Sequence, residues 1–185
     1  MKKLMLLVLL LSNLSVFAQK EGQIFCEGDA SESYFSLLSA KKVIYWSDTY
    51  YIEKKVGLKT INDKEYIEYL QAWENGQKVS LFLRTENGKV FQYEECCDED
   101  TLRFDDNLKV GDKWKTADNL VEYEIIATDI SLKTPVCNYK NILKLKSTFK
   151  NGSFEFYYLK GFGYVGASID GELISFASAE ILTRK

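Results

Sequence analysis

Apolar and polar positions alternate with a period of two through much of the chain beyond residue 60. Val79, Leu81 and Leu83 are interleaved with Ser80, Phe82 and Arg84, and Leu143 and Leu145 with Lys144 and Lys146. Phe154, Phe156 and Tyr158 fall on one side of a run that puts Ser153, Glu155 and Tyr157 on the other. Successive side chains of a strand point to opposite faces, so this pattern suits a sheet with one face buried. The runs Val90-Phe91-Gln92-Tyr93, Tyr123-Glu124-Ile125-Ile126-Ala127 and Leu173-Ile174-Ser175-Phe176-Ala177 read as further strands.

Between these runs stand Asn75-Gly76, Asn87-Gly88, Asn151-Gly152 and Asp170-Gly171, with Asn62-Asp63 a weaker signal of the same sort. Type I′ turns need positive φ at both central residues, which these pairs adopt at low cost. They predict antiparallel hairpins following one another along the chain. Helical periodicity is confined to one short segment. Ser31 could cap a turn carrying Tyr34, Phe35, Leu37 and Leu38 on one face. Tyr66 to Trp73 reads as strand because of its aromatic residues and the Asn-Gly that follows. The expectation is an all-β fold: a single, mostly antiparallel curved sheet, barrel or sandwich of about eight to eleven strands, with at most one short helix.

Leu108 to Trp114 and Tyr157 to Gly166 are motif-like segments, and both resemble segments of small secreted β-proteins of Bacteroidetes-type bacteria. Leu108-Lys109-Val110-Gly111-Asp112-Lys113-Trp114 is similar to their "lkvGDkW" segment, and Tyr157-Tyr158-Leu159-Lys160-Gly161-Phe162-Gly163-Tyr164-Val165-Gly166 to their "yyxkGxGxV" segment. Asn87 to Tyr93 and Leu102 to Asp105 resemble the strand-turn run that precedes the first of these. The resemblance implies export and an all-β fold. It carries over no catalytic residue. Cys96-Cys97 departs from the pattern.

The N-terminus changes the picture from fold to compartment. Met1-Lys2-Lys3 precedes an apolar run from Leu4 to Leu11, and Val16 and Ala18 offer small residues ahead of Gln19. The run is shorter than the roughly 20 residues a membrane span needs. Residues 1–18 are therefore expected to be a cleaved secretory signal and 19–185 a single β domain, with no transmembrane span after cleavage, periplasmic or extracellular. Removing Lys2 and Lys3 moves the formal net charge from −3 to −5. Clustered basic residues of the kind that hold nucleic acid are missing. The chain has no histidine, which disfavours Ser-His or Cys-His hydrolases and zinc sites.

Cys26, Cys96, Cys97 and Cys137 are even in number, as disulfides in an exported protein would require. Neighbouring Cα atoms lie about 3.8 Å apart, whereas disulfides prefer roughly 4.4–6.8 Å. One of Cys96 and Cys97 is therefore expected to bond to Cys137 or Cys26. The acidic run around that pair supplies a weak calcium candidate in Asp98, Asp100 and Asp105, without EF-hand spacing; a solvated loop is the plainer reading. No other metal or cofactor is expected. Gly161-x-Gly163-x-x-Gly166 precedes a hairpin rather than a helix and so does not read as a nucleotide loop. Ser39-x-x-Lys42 with Ser47-Asp48-Thr49 lacks the third motif of penicillin-recognising enzymes.

Aromatic residues carry the functional lead. Trp46, Tyr51, Trp73, Tyr157 and Tyr158 are the candidate ligand-binding residues, because adjacent rings on a strand must face opposite sides and one of each pair can line a second surface. Simple cross-strand ring pairing is the alternative explanation for them. The expected function is non-catalytic binding of a glycan, an apolar small molecule or an envelope protein, with no catalytic residue assigned. The alternatives are a small glycan hydrolase using two of Glu53, Glu65, Glu68 and Glu155, and a structural accessory domain of a surface assembly.

Overall fold

A computed structural model describes residues 26–37, 41–179, 181 and 182. The signal segment, and Leu38 with Ser39 of the sequence motifs, lie outside the described residues. Twelve strands follow in order: β1 (Lys42–Trp46), β2 (Thr49–Ile61), β3 (Lys64–Trp73), β4 (Lys78–Glu86), β5 (Lys89–Glu94), β6 (Glu99–Asp105), β7 (Lys113–Lys115), β8 (Glu122–Lys133), β9 (Asn138–Phe149), β10 (Gly152–Leu159), β11 (Gly163–Ile169) and β12 (Glu172–Ser178). That is one more than the upper expectation. The extra count comes from the N-terminal region, where Ser47-Asp48 joins β1 to β2 without a glycine, and from the three-residue β7.

The strands form one antiparallel sheet, ordered β6-β5-β4-β3-β2-β1-β12-β11-β10-β9-β8-β7. Each half is a meander of six strands, and the halves join where β1 pairs with β12. The free edges of β6 and β7 meet through side chains. Trp114 Nε1 donates to the Leu102 carbonyl at 2.8 Å, and the Ala117 amide donates to Thr101 Oγ1 at 2.9 Å. The sheet is thus a nearly closed barrel. Three turns have the expected positive φ at both central residues: Asn62-Asp63, Asn87-Gly88 and Asp170-Gly171. At Asn75-Gly76 only the glycine does (φ 88°), because the loop between β3 and β4 is two residues longer. Asn151 is not positive either; the β9–β10 reversal turns on Lys150-Asn151, with Gly152 already in the strand.

The segment expected to be helical is an irregular strap. Ser31 caps nothing; its amide and hydroxyl both donate to Asp29 Oδ1. The strap is fastened by Asp29 N to Lys160 O (3.0 Å), Gly161 N to Ser33 O (2.9 Å) and Ser33 Oγ to Asp106 (2.7 Å). Its apolar residues do not share a helix face. Phe35 stacks between Phe104 (4.9 Å) and Tyr158 (4.2 Å), so an aromatic residue of the strap enters the core. Around it pack Tyr123, Ile125, Leu143 and Leu145. A second apolar cluster joins Tyr139, Ile142, Tyr157, Leu159 and Val165 with the β8–β9 turn.

The cysteine expectation is corrected. Cys26 bonds to Cys137, and Cys96 bonds to Cys97 across a Cα separation of 3.8 Å. The strap is held to the β10–β11 turn, which leaves Cys26 beside the β8–β9 turn that carries Cys137. Cys96 and Cys97 sit in a different reversal, between β5 and β6, whose Asp98 accepts from Asn62 of the β2–β3 turn at 2.7 Å. The two pairs are therefore fixed to different parts of the sheet.

Candidate functional site

Residues directly opposite in a ladder share a face, so register traces the inner wall. Lys42 lies opposite Glu53, and Glu53 opposite Gln71. Ile44 lies opposite Tyr51. In the other direction Trp46, Ser175, Ala167, Phe156, Leu145 and Ile125 form a continuous row. Tyr158 shares this side with Phe156 by alternation, and a register shift that leaves Val165 of β11 unpaired places Tyr164 opposite Tyr158 on the same side. Eight strands already give a barrel interior that side chains can fill. Twelve enclose more than that, and even with Phe35 inserted a cavity of about 200 Å³ remains.

Its aromatic walls are Trp46, Tyr51, Tyr69, Phe156, Tyr158 and Tyr164, with Phe35 closing one side. Polar groups enter from five strands: Lys42 on β1, Glu53 on β2, Gln71 on β3, Gln92 on β5 and Arg103 on β6. Lys42 is 6% exposed. Its ammonium donates to the Phe162 carbonyl and lies 4.3 Å from the centre of that ring. Burial pushes its pKa down to about 8, with Glu53 opposing the shift. Glu53 accepts from Gln71 Nε2 at 2.9 Å. Arg103 donates to the Tyr123 hydroxyl and lies over that ring. Burial lowers its pKa, but Tyr123, Tyr158 and Glu94 outweigh that and hold it above the ordinary arginine value. Burial raises the hydroxyl pKa values of Tyr51, Tyr158 and Tyr164, and takes that of Tyr69 up to about 12.

The sequence candidates separate in three ways. Trp46, Tyr51 and Tyr158 come together on the cavity wall. Trp73 lies behind them, its ring 4.7 Å from Tyr51. Tyr157 points to the opposite face, where its hydroxyl meets Ser168 Oγ at 2.9 Å and Glu155 at 3.3 Å. Arg103, Lys42, Tyr164 and Phe35 were not among the candidates. Alternation within one strand cannot identify them, since each needs the cross-strand register or the path of the strap.

The acidic candidates do not converge. Asp98 accepts from Asn62 and Tyr93, Asp100 pairs with Lys64 and Arg84 and accepts from Tyr66, and Asp105 pairs with Lys89. Hydrogen bonds from Tyr93 and Asn62 lower the Asp98 pKa. No three His, Cys, Asp or Glu side chains among the described residues gather as a metal site. Glu53 is the one carboxylate in the described cavity wall, while Glu155 is ion-paired to Lys144 at 2.7 Å and Glu68 accepts from Ser80 at 2.6 Å. Gly161 and Gly163 shape the β10–β11 turn with φ of 72° and 83°, and Gly166 lies against the Ser175 carbonyl. Ser47-Asp48 is the β1–β2 turn.

No family model matches the chain, and no curated protein matches it. Two crystal structures are similar in outline. One is a Bacteroides fragilis protein described as exported and as having a YmcC-like fold, at 11% identity and a TM-score of 0.42, with 79% of this chain and 96% of that one covered. The other is a Parabacteroides distasonis protein described as a lipoprotein, at 14% identity and a TM-score of 0.41, with the same coverage. No helix among the described residues is long and apolar enough to cross a membrane.

Proposed function

We propose that this is an exported, non-catalytic binding protein that takes a small molecule into the barrel cavity. One observation carries the reading: rings of Trp46, Tyr51, Tyr158 and Tyr164 line the same cavity as Lys42, Glu53, Gln71 and Arg103. Small-molecule sites combine apolar and aromatic walls with a few placed polar groups. An apolar cavity of about 150 Å³ holds benzene, so about 200 Å³ suits a single substituted ring. The lone wall carboxylate supports binding over glycoside hydrolysis, which uses two carboxyls about 5–9.5 Å apart.

Native mass spectrometry of the exported protein, before and after denaturation, tests this. A small molecule released on unfolding is the expected result, together with its loss in Leu81→Trp, a wall substitution that fills the space without changing charge. Retention that persists unchanged in folded Leu81→Trp would place binding elsewhere.

A further inference from the structure

The cavity brings two cationic side chains, Lys42 and Arg103, against one wall carboxylate, Glu53. Ion pairs among the described residues engage Arg84, Lys64, Lys89, Lys113 and Lys144, and none engages Arg103 or Lys42. Arginine has five N–H donors, and here the hydroxyls of Tyr123 and Tyr158 engage two of them. A carboxylate is the acceptor that matches the planar fork of the remaining donors. A guanidinium walled in by rings and without a carboxylate partner is costly unless something of opposite charge comes to it. Glu94 acts on Arg103 through space, but no ion pair joins the two among the described residues.

We propose that the ligand is a compact ring bearing one acidic group, with its anion on Arg103 and its ring against the face formed by Tyr158 and Trp46. This rests on the cavity-binding reading and names its ligand class. A sugar acid and an aromatic acid share that chemistry, and the cavity volume admits either as a single ring. The neutral donor and acceptor of Gln71 face the same space and can meet a ring hydroxyl.

Titration calorimetry and Trp fluorescence with two matched pairs, glucuronate with glucose and benzoate with benzyl alcohol, test the proposal on unmodified protein. The acid of at least one pair should bind tenfold or more tighter than its neutral partner, and which pair responds distinguishes the two sources. Arg103→Gln should cut the affinity for the acid at least tenfold, while Arg103→Lys should retain most of it. Melting curves confirm that each variant is folded. A neutral partner binding as well as its acid overturns the proposal while leaving the cavity reading intact. So does acid affinity unchanged in folded Arg103→Gln. Competition of the acid with whatever molecule co-purifies tells these cases apart from failure of the cavity reading, which shows as no binding of any probe and no retained molecule. Should Arg103→Gln fail to fold, the comparison of acid with neutral on the unmodified protein still decides.

Discussion

Lys42 is a buried cation held by a carbonyl and a ring, and its charge opposes folding. Its pKa in the folded protein is about 8, against an ordinary 10.5. The unfolded chain therefore keeps this proton to higher pH than the folded one. The cost of burying the charge is present below about pH 8 and is relieved as pH rises toward the unfolded value, so this residue makes stability climb across that window. At 1.36 kcal/mol per unit of pKa the cost is on the order of 3 kcal/mol. Tyr51, Tyr158 and Tyr164 act oppositely, since their raised pKa values favour the folded state until the unfolded tyrosines ionise near pH 10. Urea unfolding should show stability nearly level up to about pH 8, rising above it and falling beyond about pH 10. Lys42→Met should be more stable than the parent at pH 7 and should lose the rise; an unchanged slope would mean the ammonium is not desolvated. Glycines differ in the same residue-level way. Gly161 has φ of 72°, and a Cβ there would lie 2.9 Å from Asp29 Cβ, whereas Gly76 has φ of 88° with open space around it. Gly76→Ala should cost only the left-handed penalty of about 1–2 kcal/mol. Gly161→Ala adds a clash with the strap, so its melting temperature should drop further, and equal drops would show that the strap yields freely.

The strap and the hairpins differ in how far they could be read from sequence. Asn87-Gly88 and Asp170-Gly171 were legible because a two-residue reversal is a local requirement on φ. The strap was not. Tyr34, Phe35 and Leu37 have helical spacing, yet long-range bonds to Lys160, Gly161 and Asp106 decide their path. Disulfide pairing depends on that same path, which is why Cys26–Cys137 could not be derived from spacing. The two disulfides should also differ in what they contribute. Cys26 and Cys137 are 111 residues apart, and closing a loop of that order is worth up to about 4–5 kcal/mol in the chain-entropy model. Cys96 and Cys97 are adjacent and close no loop. Paired Cys→Ala substitution at 26 and 137 should lower unfolding free energy by about 2–4 kcal/mol, measured by denaturant titration. The same change at 96 and 97 should stay within about 0.5 kcal/mol, the range of most surface substitutions. A larger loss from the adjacent pair would give the β5–β6 turn a structural weight that its sequence separation does not.

At the scale of the whole molecule, alternation predicted a curved sheet but not how it closes. The β1–β12 pairing joins residues 43 and 178, and no local pattern marks either strand as the other's neighbour. The cavity follows from closure, so Arg103 becomes part of it only once β6 has been brought round to face β10. Closure is also uneven. Between β1 and β12 it runs through a ladder, while between β6 and β7 it depends on the Trp114 and Thr101 side-chain bonds. Backbone amides on the β6 and β7 edges therefore lack the second ladder that every other strand has. Protection against hydrogen exchange should follow this order, because local opening costs least where fewest backbone bonds break. Exchange measured by mass spectrometry should be fastest, among the strands, in β6 and β7 and slowest in β1 and β12. Trp114→Phe keeps a ring but removes the donor to Leu102, and it should speed exchange in β6 several-fold with β1 and β12 unchanged. If β6 and β7 exchange as slowly as β1 in the parent protein, the barrel is sealed by more than these two contacts, and entry to the cavity cannot run through this seam.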